Sequence, residues 1–295
     1  MTRILVTTSD GLHELQEGGT RSEVQHPGRE VTYLAPEGWE LWAILDGREV
    51  WHTAGIEWWV HIGDLDGLKG QCMADTRAGV ILGTSEARLL RVAGEGLEPV
   101  EGFDAAPGRD GWYTPWGGPP DTRSITEDGD TVYVNVHVGG ILRSRDKGDT
   151  WEPTIDVDAD VHKVWATRER VFAPCARGLA VSENQGDTWE MRTEGLHANY
   201  CRAVAVTGDT VLVSASDGPR GSRSAVYRGS AKAGALEQCS DFFDRNIDSA
   251  WLDATDELAA FGTEDGRVFA STDEGATWNE IASDLPSLRR VLVLP

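Results

Sequence analysis

Three copies of one eight-residue turn constrain this chain more than any other feature. They read Ser144-Arg-Asp146-Lys-Gly148-Asp-Thr150-Trp151, Ser182-Glu-Asn184-Gln-Gly186-Asp-Thr188-Trp189 and Ser271-Thr-Asp273-Glu-Gly275-Ala-Thr277-Trp278. Each residue type has a mechanical role. The Ser and Asp (or Asn) side chains accept from backbone N–H groups inside the turn, Gly takes a conformation that a Cβ disfavours, and Trp folds back over the hairpin. A turn repeated in this way implies a repeated unit, and repeats of this size build propellers, solenoids or arrays.

The spacing gives the unit. Trp151 and Trp189 are 38 residues apart, and Trp189 and Trp278 are 89 apart, close to one and two four-stranded blades of about 40–45 residues. A degenerate unit therefore lies between the second and third turns, with its turn eroded to Gly229-Ser-Ala-Lys-Ala-Gly. Repeating the order of apolar strand, Asp/Gly turn, alternating strand and Gly turn along the chain places blades at about 31–64, 70–102, 122–155, 161–195, 201–240 and 248–283. Two orphan ends remain. Residues 288–295 look like a first strand without a blade, and residues 1–27 look like later strands without a first; joined, they make a seventh blade. The expected fold is an all-β, seven-bladed β-propeller of four-stranded antiparallel blades in a single domain spanning 1–295, closed by the N- and C-terminal strands. Six blades with an added hairpin is the alternative. The stretch from Ala105 to Pro120 reads as a long irregular loop.

The three turns resemble the Asp-box of BNR-repeat proteins, a family that shares the sialidase propeller fold. The resemblance implies that Ser144, Asp146, Gly148 and Trp151, Ser182, Asn184, Gly186 and Trp189, and Ser271, Asp273, Gly275 and Trp278 are structural. It also raises sialidase chemistry, which uses an arginine triad, a Tyr–Glu nucleophile pair and an acidic acid/base. The nearest counterpart of the family's early Arg-Ile-Pro string is Arg3-Ile4-Leu5, inside an expected strand. Of the five tyrosines only Tyr200 falls on a face loop, and no Glu adjoins it. The same boxes occur in a photosystem II assembly factor and in sortilin-type receptors, which hold other molecules. The expectation is therefore a non-enzymatic ligand- or protein-binding scaffold, with a glycan-acting hydrolase or lyase as the alternative. There is no G-x-S-x-G, H-E-x-x-H or P-loop string.

In a propeller, ligands meet the face that carries the loops leading into each blade and the loops between its second and third strands. Those loops nominate Arg123, His137, Asp160, His162, Tyr200, Arg202, Asp217 and Arg220 as a ligand site. For the arginines the competing role is a tie to an aspartate of the neighbouring blade. His137, Asp160 and His162 suit a divalent metal in ligand type. Sequence does not fix their mutual distance, so no metal and no cofactor is assigned. Arginines on this face favour a small anion or an acidic protein segment as partner, with a carbohydrate as a further option.

With 27 basic and 49 acidic side chains the net charge is −22, so phosphate-rich nucleic acid and anionic membranes would be repelled. Only four basic residues are lysines (Lys69, Lys147, Lys163, Lys232). Few lysines beside excess carboxylate suit a salt-rich, haloarchaeal cytoplasm, and a GC-rich bacterial genome is the other reading. The chain opens almost at once on a strand without a signal-like segment, and no run is long enough to span a bilayer. A cytoplasmic monomer is expected, with Cys72, Cys175, Cys201 and Cys239 as free thiols.

Overall fold

The computed structural model describes residues 3–15, 23–53, 58–94 and 96–295. Parts of the expected first and second blades, residues 16–22 and 54–57, lie outside the described residues. The fold is a seven-bladed β-propeller whose sheets are antiparallel. Blade 1 joins Leu288–Leu294, Arg3–Thr8 and Gly11–Leu15, with the C-terminal strand paired to the N-terminal one from Arg3↔Leu294 to Thr8↔Leu288. Beyond Gly11–Leu15, Leu12 and Gln25 exchange backbone hydrogen bonds of 2.8 and 3.0 Å, at the position of a fourth strand.

The other six sheets each have four strands in sequence order. Their first strands are Val31–Glu37, Gly70–Thr76, Thr122–Asp128, Trp165–Ala166, Tyr200–Thr207 and Leu252–Ala254, for blades 2 to 7. The degenerate repeat is blade 6, closed by Ala225–Ser230 and Glu237–Gln238. Second strands are buried along nearly their whole length, as Thr131–Val136 of blade 4 illustrates, whereas third strands range from the fully buried Gly140–Ser144 to the mostly half-buried Leu89–Ala93. Both faces of an inner strand meet neighbouring sheets, which is why these segments read as continuous apolar runs. The segment after blade 3 differs from the sequence expectation at its start. A helical turn, Glu101–Asp104, precedes the irregular stretch and drives Phe103 into the core, where Trp151 meets it edge-on at 5.3 Å.

By internal contacts the chain divides into two compact units. One comprises residues 1–31, 174–180 and 191–295, and the other residues 32–173 and 181–190. Each has its own apolar cluster, around Ile4, Val6, Leu258 and Val291 in the first and around Ile44, Leu82, Phe103 and Val134 in the second. All four cysteines are free thiols. Cys72, Cys175 and Cys201 are buried, and burial raises the Cys201 thiol far above its usual range.

The three turns share one hydrogen-bond pattern. Ser144 Oγ accepts from Gly148 N at 2.8 Å, Asp146 Oδ1 accepts from Thr150 N at 2.9 Å, and Thr150 Oγ1 donates to Asp146 Oδ2 at 2.6 Å. The turn around Ser271 and Asp273 reproduces all three bonds, and the turn around Ser182 and Asn184 reproduces the two from backbone N–H groups. In each, two consecutive residues are left-handed, for example Lys147 (φ 60°) and Gly148 (φ 89°). Space also favours the Gly, most strongly at Gly275. A Cβ at Gly148 would reach Arg91 at 3.0 Å, one at Gly186 would reach Thr154 at 3.1 Å, and one at Gly275 would reach Leu212 at 2.6 Å. Each of those contacts belongs to the preceding blade, so the turns brace blade against blade.

Candidate functional site

A recurring bulge sets the arginines. In blades 3, 4 and 6 the register slips near the start of the first strand, at Gln71, Arg123 and Arg202–Ala203, and it slips at Arg289 in the C-terminal strand. A bulge leaves its residue unopposed and re-aims the side chain. Two of these arginines meet an acid from the loop leading into the next blade. Arg202 Nη2 lies 3.0 Å from Asp248 Oδ2, and Arg289 Nη2 lies 2.9 Å from Glu30 Oε2. Arg123 acts on Asp160 in the same sense, as one of the charges that lower its pKa.

In the unit of residues 32–173 and 181–190, four of the nominated residues come together. His137 follows the second strand of blade 4, with its backbone N–H donating to Asp121 O at 2.9 Å. Asp160 ends a short 3-10 turn, Val157–Ala159, in a left-handed conformation (φ 51°). The turn is capped by Asp156, whose Oδ1 accepts from Asp158 N at 2.8 Å. Next in sequence, the Val161 carbonyl accepts from the buried amide of Asn135 at 3.1 Å, which fixes the loop against blade 4. Asp160 Oδ1 thereby stands 3.4 Å from His137 Nε2 and 3.8 Å from His162 Nε2. Both imidazoles are buried, whereas the carboxylate side chain is one-third exposed. The His137 imidazole is the main cause holding the Asp160 carboxyl below the usual range; burial opposes it, while His162 and Arg123 add to it. Over His137 lies the exposed indole of Trp116, with ring centroids 5.2 Å apart.

The nominated residues of the other unit form a second group. Tyr200 begins the first strand of blade 6, and Arg202 is spent on Asp248. Asp217 Oδ1 lies 3.4 Å from His197 Nε2, and Arg220 is exposed on the same loop as Asp217. His197, which the sequence reading left out of its site, joins Asp217 to the aromatic residues of blade 6. Its Nδ1 meets the Tyr227 hydroxyl at 2.6 Å, and its ring meets Phe242 at 5.0 Å. A signal for it existed. His162 and His197 each stand three residues before the first strand of their blade, and each has a carboxylate nearby.

A further cluster of possible metal ligands, Glu37, Glu40 and His52, lies in blade 2. There the Trp42 indole donates to Glu37 Oε2 at 2.6 Å and stacks on His52 at 4.1 Å, so the carboxylate already has a donor.

No family model matches the chain. No curated protein matches it either. Solved structures with the same fold include an ancestral GH74 enzyme (TM-score 0.64, 13% identity), of which this chain covers 38% while 90% of this chain is matched. They also include YCF48 bound to D1 peptide (TM-score 0.58, 15% identity, 96% of this chain and 88% of that one). A third is the computationally designed Ika8 protein (TM-score 0.59, 12% identity, 97% and 85%). At these identities the likeness is one of fold.

Proposed function

We propose that the protein is a recognition propeller, one domain working without catalysis, that takes up a partner segment bearing an acidic side chain beside Trp116, His137 and Arg123. One observation carries the reading: an indole 67% exposed lies over the buried His137, whose partner Asp160 also feels the Arg123 charge. Exposed aromatic residues beside arginine are the composition of protein-contact centres, and a guanidinium can grip a carboxylate in bidentate fashion. Tyr113, 46% exposed on the same loop, reaches Asp158 with its hydroxyl at 3.4 Å and extends the aromatic surface. The pairing of Arg202 with Asp248 supports the scaffold over an enzyme, because an arginine that could clamp a substrate anion is already tied to an aspartate of the next blade's entry loop. In this reading the three turns are Asp-boxes that serve only as braces, and the YCF48 complex with a peptide is the nearer functional analogue. The test is to pan a displayed library of linear peptides against the parent protein and against Trp116→Ala with Arg123→Ala. Enrichment of Asp- or Glu-bearing peptides on the parent, lost in the double variant, is expected. No enrichment on the parent, or release of reducing sugar from glucan or sialoside substrates, overturns the reading.

A further inference from the structure

We infer that His137, Asp160 and His162 form a binding site for a divalent first-row transition metal, with zinc as the best-suited ion. The ligand atoms of the three residues all lie within 4.8 Å of one another. Asp160 Oδ1 sits 3.4 Å and 3.8 Å from the two imidazole nitrogens, and atoms around a tetrahedral zinc bonded at about 2.0–2.1 Å stand about 3.3 Å apart. The two carboxylate–imidazole distances are therefore close to those around a bound ion, and the two imidazoles, within 4.8 Å of each other, would have to draw together to complete the sphere. Two neutral imidazoles and one carboxylate form a donor set that this class of ion prefers over calcium or magnesium, which favour oxygen ligands.

A second observation points the same way. Asp160 Oδ1 is buried and has no hydrogen-bond partner, although its distances to both imidazoles are short. Contacts of 3.4 and 3.8 Å without hydrogen-bond geometry only partly offset the burial of a carboxylate oxygen, and a cation between it and the two nitrogens would complete the offset. The surroundings hold the ligands in place. Asn135 grips the Val161 carbonyl between the two loop ligands, the Asp156 cap sets the turn, and the left-handed Asp160 is aimed back at His137. This is the supporting shell that keeps ligands oriented. Three protein ligands would leave a fourth position for water or, since the Asp160 side chain is one-third exposed, for a carboxylate from outside. The blade 2 cluster lacks this orphaned carboxylate, because Trp42 already donates to Glu37.

The test uses the full chain, stripped with a chelator and titrated with zinc by calorimetry and with cobalt(II) by visible absorption. The parent should bind one equivalent of zinc, gain thermal stability, and give the intense visible bands of low-coordinate cobalt. Asp160→Asn, nearly isosteric and at a partly exposed turn, should weaken zinc binding at least about tenfold. His162→Ala should do the same, and if that buried change prevents folding, Asp160→Asn decides the matter. Glu37→Gln should leave binding unchanged. The site is wrong if the parent binds no stoichiometric metal, if Asp160→Asn binds as tightly as the parent, or if Glu37→Gln abolishes binding instead.

Discussion

Asp146, Asn184 and Asp273 do the same work with different chemistry. The two carboxylates accept from a threonine hydroxyl, whereas Asn184 reverses one bond, its Nδ2 donating to Thr188 Oγ1 at 2.9 Å. Hydrogen bonds from Thr150 and Thr277 hold the Asp146 and Asp273 carboxyls at about 2, below the ordinary 3.8. Because the folded pKa is depressed, their stabilisation is complete above about pH 4 and is lost as pH falls through about 2. Asp146→Asn with Asp273→Asn imitates the Asn184 turn and does not titrate. The melting-temperature gap between parent and double variant should therefore stay constant above pH 4 and narrow in more acid solution; a gap that ignores pH would show the carboxylates contribute nothing. The tryptophans are less equal than the turns that carry them. Trp151 is 3% exposed and packed on Phe103, so Trp151→Ala should cost about 3–5 kcal/mol. Trp189 is only half-buried and its indole donates to Thr154 O at 2.8 Å, so its loss should cost clearly less in urea unfolding. Equal losses would refute this ranking.

At the level of strands, the bulges convert a repeat into a set of ties. Arg202 and Asp248 should show a coupling of about 1 kcal/mol in a double-mutant cycle, the upper end for pairs that remain partly solvated. A coupling of zero would leave Arg202 available for a ligand. Removing residues 288–295 should expose the Arg3–Thr8 strand as a new edge and produce aggregation or loss of cooperative unfolding, read by light scattering and circular dichroism. How much of this was legible follows from range. The turns were readable because every bond in Ser144–Trp151 closes within a few residues, and the closing sheet was readable because two strand-like ends lacked partners. The bulges were not, since a slip at Arg123 is a property of two strands in register. The meeting of His137 with Asp160 and His162 was readable as chemistry but not as distance, because it depends on Asn135 holding a loop from the next blade. The helical turn that buries Phe103 was missed because four residues give no helical period.

For the whole molecule, the net charge of −22 is the dominant long-range term. Repulsion among surface carboxylates destabilises a compact state and is screened beyond about 10 Å at 0.1 M salt. The melting temperature should rise from dilute buffer to molar KCl, and an equal value in the two would show that carboxylate repulsion does not limit stability.

The pairing of Thr8 with Leu288 joins points about 280 residues apart, a closure that costs about 5 kcal/mol of chain entropy. In a growing polypeptide the Arg3–Thr8 strand is made before the six blades that follow it and waits through their synthesis for its partner. Blades 2 to 7 can form as they emerge, each from neighbouring segments, but the seal comes last. A chain interrupted before Leu288 would have six four-stranded blades and one bare edge. Quality control by the cell would thus have a single late event to monitor, the docking of Leu288–Leu294.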